Sequence, residues 1–318
     1  MKLLKLVPDN TNINFMGWRK VALILSLMAS IASLVLVGVR GLNLGIDFVG
    51  GQVVRATFAQ PVDIEDLRGK VASLDVGEAS IQEFGDNRTY QIRLPKPEGP
   101  EAAANQVVTA VRGMVQEEYP GVTITAGESV SGKVSGELAW DGALAITFAM
   151  LGIAIYIWFR FEWQFGVGAL LTLFHDVSMV LGFFALTQLQ VDLNIVAAFL
   201  ALVGYSLNDT VVIYDRIREN LRKYRKMEIV SLINFSLNET LSRTIVTSLA
   251  IMTALAVLLA LGPDVLFGLT LAILLGTFIG TYSSIYISAA ALIWMGLKPD
   301  SFVRYDDEKD ADTAVHPA

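Results

Sequence analysis

The feature that most restricts the fold of this chain is a series of long apolar runs. The first covers residues 21–39 (VALILSLMASIASLVLVGV) and contains no charged residue. A run of this length fits a helix that crosses a bilayer better than the apolar core of a cleaved signal, so we expect a retained anchor. Further apolar runs cover residues 139–159, 165–187, 192–214, 242–262 and 265–295. The pattern predicts an α-helical polytopic membrane protein with six transmembrane helices.

The composition excludes several classes of function. Hydrophobic residues make up 53% of the chain and charged residues 17%, which is too apolar for a soluble protein of this length. The absence of cysteine rules out disulfides, thiolate nucleophiles and thiolate metal sites. The only histidines are His175 and His316, so a multi-histidine metal site is excluded as well. We predict no metal and no cofactor. An enzyme is the least favoured class, because no nucleophile–base pair is apparent.

The distribution of Lys and Arg predicts the orientation of the spans. These residues are concentrated in residues 1–20, 215–240 and 296–318, whereas the short connections 188–191 and 263–264 contain neither. Basic segments remain on the cytoplasmic side of a membrane. Both termini are therefore predicted to be cytoplasmic.

Residues 40–138 lie between the first two spans and are predicted to form a small periplasmic α+β domain, which we call the outer domain. Alternating and helical patterns place strands at 52–58, 79–84, 89–94 and 122–130, and helices at 63–74 and 100–119. Asp63 is the expected N-cap of the first of these helices. The order β-α-β-β-α-β is that of a ferredoxin-like domain, a fold that hosts many functions and identifies none.

Asp209 is an acid within the span predicted at 192–214. A carboxylate at the centre of a spanning helix costs roughly 2.5–3.5 kcal/mol on insertion scales, so we expect it to serve ion or proton movement. The alternative is a polar contact that joins two helices. We count the neighbouring residue Asn208 with Asp209 as a candidate for proton coupling.

Three more polar residues of the spans are candidates for the same role. His175 and Asp176 fall midway along the span 165–187, and because they are adjacent on a helix they need not face one pathway. His175 could shuttle protons or make a fixed interhelical hydrogen bond, and we favour the second. Arg243, near the start of the span 242–262, either pairs with Asp209 or extends to the cytoplasmic interface.

Two patterns concern helix surfaces. Residues 215–240 are basic and amphipathic, which predicts an interfacial helix on anionic lipid; the positive-inside rule makes a nucleic-acid partner improbable. Gly276 and Gly280 form a GxxxG pattern, which predicts a close helix contact within this chain or with a partner.

Several motifs are spread along the chain: GIDFVGG at 45–51, HDV at 175–177, GYSLNDTVVIYDRIREN at 204–220, SRT at 242–244 and GTYSSIYI at 280–287. Together they resemble the SecF family, the membrane subunits of the bacterial SecD–SecF complex that assists the Sec protein translocation channel. The family is similar to one half of an RND-type proton-driven transporter.

The resemblance implies a role and a set of partners. It implies use of the proton motive force to promote protein export, with a SecD homologue, the Sec channel, protons and an unfolded translocating chain as partners. It also implies that Asp47, Gly50 and Gly51 form a hinge or coupling element at the base of the outer domain, although Asp47 could simply cap a turn. Two alternatives stay open: half of an RND-type exporter of small molecules or lipids, and a membrane scaffold whose buried charges are structural.

Overall fold

The computed structural model describes residues 11–74, 79–95 and 101–298, together with Pro8 and Val76. Some residues on which the sequence-based predictions rest lie outside these ranges. Lys2 and Lys5 of the N-terminal segment, the loop residues 96–100 and residues 299–318 of the C-terminal segment are among them. The six predicted spans and nearly all of the outer domain lie within the described residues.

The first span is a helix preceded by a short 3₁₀ turn. The turn covers Phe15–Trp18, and α1 covers Arg19–Arg40. Phe15 and Met16 are buried, so the turn anchors the start of the first span in the bundle. α1 packs along a later spanning helix and exposes most of its apolar surface, as a helix at the edge of a membrane bundle does.

The outer segment folds into the predicted small α+β domain. After a short helix, α2 (Ile46–Val49), its elements follow in the order β1 (Gly51–Thr57), α3 (Ile64–Ala72), β2 (Ser80–Phe84), β3 (Asp86–Leu94), α4 (Glu101–Glu118) and β4 (Thr123–Val130). The four strands pair antiparallel in the order β2-β3-β1-β4. As predicted, Asp63 caps α3, its side chain accepting a hydrogen bond from the backbone N–H of Glu65 at 2.9 Å.

One face of this sheet is covered by α3 and α4. Alternate strand residues, including Val54 and Ile92, pack against Leu67 of α3 and Val111 of α4, and all four are fully buried. β3 begins three residues earlier than predicted because Gly85, with a φ of +77°, makes the β2–β3 turn tighter than the sequence suggested.

Six helices and a π turn complete the membrane part that the structure describes. They are α5 (Gly132–Arg160), α6 (Trp163–Thr187), α7 (Leu193–Lys223), α8 (Ile229–Leu261), α9 (Phe267–Ser283), the π turn Ser284–Ser288 and α10 (Ala289–Trp294). Together with α1 they provide six helices long and apolar enough to cross a membrane, with α9, the π turn and α10 forming the last. α6, α7 and α9 occupy the centre; α1 packs on α6, and α8 packs on α7 and α9.

The separate interfacial helix predicted over residues 215–240 is wrong. α7 continues to Lys223 and α8 begins at Ile229, so the segment is a helical hairpin. Its apolar residues, such as Ile217 and Leu232, are buried in the bundle core instead of facing lipid. An amphipathic pattern does not say whether its apolar face meets lipid or protein, and here it meets protein.

α5 begins seven residues before the predicted start at 139. Its first turn is polar, and Ser131 caps it by accepting a hydrogen bond from the N–H of Val134. The outer domain therefore ends near Val130 instead of residue 138. The predicted start is that of the apolar run, and the helix extends beyond it because a helix outside the apolar layer needs no hydrophobic residues.

Candidate functional site

Two buried carboxylates lie inside the membrane bundle, on helices that pack against each other. Asp176 of α6 is fully buried, and Asp209 of α7 is 3% exposed. Burial of a charge in such surroundings is costly unless hydrogen bonds compensate it. Each carboxylate has such partners, and they form two separate clusters that share α7.

The first cluster surrounds Asp176. Its Oδ2 accepts hydrogen bonds from the hydroxyls of Ser206 at 2.6 Å and Ser283 at 2.9 Å, while His175 Nδ1 lies 2.9 Å from its Oδ1. Gly280 passes so close that an added Cβ would be 3.5 Å from Oδ2. His175 and Asp176 thus act as one unit, although adjacent positions on a helix need not face the same way.

The second cluster surrounds Asp209, and its central member is Ser248 of α8. The Ser248 hydroxyl donates to Asp209 Oδ2 at 3.4 Å and accepts from Tyr205 Oη at 3.1 Å and from Thr281 Oγ1 at 2.8 Å. Ser248 therefore connects α7, α8 and α9 through one oxygen. Neither Tyr205 nor Thr281 was predicted from the sequence; their positions within spans beside other polar residues were the available signal.

The predicted pairing of Asp209 with Arg243 is not present. Between these two described residues there is no ion pair within 4.0 Å, and their charges interact only over a longer distance. Arg243 is exposed, whereas the next residue, Thr244, is buried and points into the bundle. The reason is helix geometry: Ser248 lies on the inner face of α8, and Arg243 lies on the outer face.

Asn208 is also exposed, one residue from the buried Asp209. Asn208 and Arg243 are therefore not part of the buried site, contrary to the grouping of Asn208 with Asp209. For Arg243, the alternative expected from the sequence, extension to the cytoplasmic interface, stays a prediction. Exposed polar groups of this kind on spanning helices are unsuited to contact with lipid tails.

A π turn adjoins both clusters in the last span. It follows Ser283 directly and covers Ser284–Ser288. The Ser284 hydroxyl lies 3.1 Å from that of Thr210, and the carbonyl of Ser288 accepts a hydrogen bond from Tyr214 Oη at 3.3 Å. Such turns occur often at functional sites, because they change the direction of side chains along one helix. Here the turn aligns the last span with the polar side of α7.

The predicted GxxxG contact lies within this chain. An added Cβ at Gly276 would meet the Leu202 side chain of α7 at 2.4 Å, and one at Gly280 would lie 3.4 Å from Ser206. The two glycines let α9 approach α7 closely, which brings Ser283 within reach of Asp176.

Gly50 and Gly51 join the outer domain to the membrane part. Their φ values are +74° and +126°, in the region that favours glycine. An added Cβ at Gly50 would be 3.2 Å from Gly132 Cα, and one at Gly51 would be 2.5 Å from the carbonyl oxygen of Leu94. The double glycine is thus required by a tight junction; its role as a hinge stays a prediction.

Asp47 lies in α2, but its side chain caps a different helix, α7. Its Oδ2 accepts a hydrogen bond from the backbone N–H of Leu193 at 2.9 Å, at the first turn of α7. A carboxylate at a helix N-terminus is favoured by the unpaired N–H groups there. The GIDFVGG segment thereby contacts the same helix that holds Asp209.

Across the described ranges, no three His, Cys, Asp or Glu residues are grouped so that they could hold a metal ion. The two clusters contain two carboxylates, one imidazole and several hydroxyls. Carboxylates and imidazoles are groups that can accept and release protons.

Comparisons with known proteins agree with this architecture. Residues 110–298 match the family described as protein export membrane protein SecD/SecF, C-terminal, and residues 35–62 match the SecD/SecF GG motif. The chain is 42% identical to protein translocase subunit SecF of Cereibacter sphaeroides, over 92% of this chain and 93% of that protein. It is 41% identical to the subunit of the same name from Pseudomonas aeruginosa, over 92% and 94%.

The fold is also that of a solved structure. SecDF from Thermus thermophilus, described as a translocon-associated membrane protein, is 34% identical with a TM-score of 0.83, over 90% of this chain and 39% of that one. A structure of SecDF in its super-membrane-facing form gives a TM-score of 0.65 at 32% identity, over 95% and 40%. The chain spans about two fifths of the length of these SecDF proteins. It is a multi-pass membrane protein that belongs to the SecF family of protein translocase subunits.

Proposed function

We propose that this chain is an accessory subunit of the Sec translocation machinery that uses the proton motive force to promote protein export across the bacterial inner membrane. Its relatives are named as protein translocase subunits, which favours this role over the export of small molecules or lipids. The same names favour a transport role over an enzymatic one.

The observation that carries the proposal is the placement of Asp209. It lies buried in the middle of a spanning helix, and its hydrogen-bond partner Ser248 belongs to a different helix. A carboxylate that gains a proton loses its charge and becomes a weaker acceptor for that hydroxyl. Protonation of Asp209 would therefore loosen the contact of α7 with α8 and α9, and deprotonation would restore it.

The second cluster supports the same cycle. Ser206, which donates to Asp176, lies three residues before Asp209 on α7. A shift of α7 that follows protonation of Asp209 would also strain the contact with Asp176 and His175. One proton that crosses 100 mV supplies about 2.3 kcal/mol, which supports a small movement per cycle and requires many cycles per exported chain.

The partner is proposed to be a SecD homologue, and through it the Sec channel. This chain covers only about two fifths of a SecDF protein, and Asn208 and Arg243 leave a polar surface within the membrane part. We propose that the SecD homologue covers this surface and meets Arg243 there.

The remaining assignments follow from this arrangement. Both termini would be cytoplasmic and the outer domain, which we class as ferredoxin-like from its strand order, would be periplasmic and near the unfolded translocating chain. The exposed cations at the tip of the α7–α8 hairpin would then face anionic lipid headgroups: Arg222, Lys223, Arg225 and Lys226.

The test uses export kinetics in vesicles, with and without a proton gradient, at matched levels of the complex. Asp209→Asn keeps the size of the side chain but removes its proton exchange, and we expect it to abolish the gradient-dependent increase in export. Arg243→Lys should reduce the increase, because Lys lacks the planar fork of Arg.

The matched control is Asp141→Asn, which makes the same chemical change at an exposed acid near the start of α5. It should keep the full gradient response. Both variants should insert and bind the partner. Full gradient stimulation in Asp209→Asn would mean that Asp209 is structural and that the proton-coupling mechanism is wrong.

A further inference from the structure

We propose that Asp47 and the α6–α7 connection form a mechanical link that carries the movement of α7 to the outer domain. We name this group of contacts the outer clamp. On one side are Asn43, Leu44 and Asp47, and on the other are Gln188, Gln190, Val191 and Leu193. The inference deepens the proposed function and rests on it, because it names how the proton site would act at a distance.

The first part of the outer clamp is a backbone contact. The N–H of Gly45 donates to the carbonyl of Val191 at 2.7 Å, and the N–H of Val191 donates to the carbonyl of Asn43 at 2.8 Å. This pair makes Leu44 and Val191 a parallel β-bridge. An added Cβ at Gly45 would meet Gln190 Nε2 at 2.7 Å, so the two segments are in close contact.

The second part ties the outer clamp to α7 itself. Asp47 accepts from the first N–H of α7, at Leu193, while Asp192 caps the same helix by accepting from Ile195 N–H at 3.1 Å. Phe48 packs with Val191 and Ile195 in one apolar cluster. The start of α7 is therefore bonded to and packed against the GIDFVGG segment, so a movement of α7 along its axis would act on that segment.

The third part reaches the sheet of the outer domain. Gln91 Nε2 donates to Gln190 Oε1 at 3.0 Å, and Arg93 Nη1 donates to Asn43 Oδ1 at 3.1 Å and to the carbonyl of Leu44 at 2.8 Å. Both donors belong to β3, a central strand that pairs with β1 and β2. A displacement at the outer clamp thus acts on the sheet directly, as well as through the covalent chain.

The tight packing at Gly50 and Gly51 agrees with this route. A Cβ at Gly51 would overlap the backbone of β3 at Leu94, so the double glycine holds the sheet close to the clamp. The double-glycine junction and the clamp would then move as one body. Valine at these positions would disturb the packing as well as any movement, so the two effects could not be separated. A substitution of Asp47 removes one hydrogen bond without adding atoms, and it is therefore the better test.

The experiment compares Asp47→Ala with Asp47→Asn in the complex with the partner subunit. Asn keeps an acceptor oxygen at the same position, whereas Ala removes it. Because the chain contains no cysteine, spin labels can be placed uniquely at Ala72→Cys on α3 and Leu261→Cys at the end of α8, both exposed. The distance between them is measured by pulsed electron resonance at neutral and acidic pH, alongside proton uptake and export in vesicles.

We expect Asp47→Ala to keep Asp209-dependent proton uptake but to lose most of the pH-dependent distance change. Its gradient-stimulated export should fall roughly tenfold, the effect of losing one hydrogen bond to a charged acceptor. Asp47→Asn should retain both. Gln190→Ala, which removes one contact to β3, should reduce the distance change less and guards against a folding defect in Asp47→Ala.

The outcomes separate the two proposals. A full distance change in both Asp47→Ala and Gln190→Ala overturns the outer clamp and leaves the role of Asp209 standing. The outer clamp is also overturned if the distance between the labels in the wild-type protein does not change with pH while export still responds to the gradient through Asp209. Unchanged gradient stimulation in Asp209→Asn overturns the proposed function, and with it the movement that the clamp would transmit.

Discussion

At the scale of single residues, the buried site depends on hydroxyl groups more than on opposite charges. Asp176 and Asp209 each accept hydrogen bonds from serine, and the one guanidinium predicted to neutralise Asp209 is exposed and forms no ion pair with it within 4.0 Å. Hydroxyls stabilise a carboxylate without fixing its charge, since they also bond to the protonated form. A site built in this way can change its protonation at a smaller cost than a buried ion pair.

Ser248 is the residue whose loss should affect this site most. Ser248→Ala removes the donor to Asp209 and the acceptor for Tyr205 and Thr281. Thr281 keeps the carbonyl of Thr277 as an acceptor at 2.8 Å, whereas Asp209 and Tyr205 each lose a partner. A buried polar group left unpaired costs about 1–3 kcal/mol, so we expect a lower unfolding temperature and a weaker gradient response. The control is Ser242→Ala, an exposed serine on the same helix. Thermal unfolding and vesicle export equal to those of the control would show that Ser248 does not organise the cluster.

The side-chain identities in the site could be predicted only in part. A carboxylate inside an apolar run is conspicuous, so Asp176 and Asp209 could be found from the sequence. Serine and threonine are common in spanning helices and carry no such signal, so Ser206 and Ser283 could not be assigned. The direction of Arg243 depends on the rotation of α8 about its axis, which the packing of neighbouring helices decides.

At the scale of elements, the sequence predicted where the spanning helices form, but it did not predict what packs against them or how far they extend. A spanning helix satisfies its own backbone, so an apolar run of sufficient length specifies it locally. The start of α5 and the α7–α8 hairpin were misjudged because both lie beyond the apolar layer, where polar sequence can be helix, loop or interface. The π turn at Ser284–Ser288 also has no local signal; it arises where the last span follows α7.

Close packing of α1 on α6 yields a prediction at this scale. An added Cβ at Gly182 would lie 2.3 Å from Ser33 Cβ and 2.8 Å from Ser33 Cα, and a backbone atom cannot yield as a flexible side chain can. Gly182→Ala should therefore separate the two helices at a cost of about 1–3 kcal/mol, as overpacking does elsewhere.

The comparison for that variant is Gly152→Ala on α5, where nothing lies within 4 Å of the added atom. Because alanine is the better helix former, Gly152→Ala should be neutral or stabilise by up to about 1 kcal/mol. Thermal unfolding followed by tryptophan fluorescence measures both variants. If they unfold at the same temperature, α1 does not approach α6 as closely as described.

At the scale of the whole molecule, the proton site and the outer domain lie at different levels of one helix. α7 holds Asp209 about 16 residues after Leu193, which is roughly 24 Å along the helix axis. A helix of this length transmits displacement as a rigid element, so no chain of side-chain rearrangements between the two levels is needed. The coupling would be set by what holds its two ends, the Ser248 cluster and the outer clamp.

The orientation of the molecule is the last prediction, and it decides on which side each event takes place. Three spanning helices, α5, α6 and α7, separate the β2–β3 turn at Gly85 from the α7–α8 turn at Tyr224, so the two turns must lie on opposite sides. The concentration of Lys and Arg around Tyr224, compared with none at 188–191, places that turn in the cytoplasm. Alkaline phosphatase, which is active only outside the cytoplasm, should be active when fused after Gly85 and inactive when fused after Tyr224. Activity at both sites would contradict the number of spans. Activity only after Tyr224 would reverse the orientation and put the outer domain in the cytoplasm, away from any exported chain.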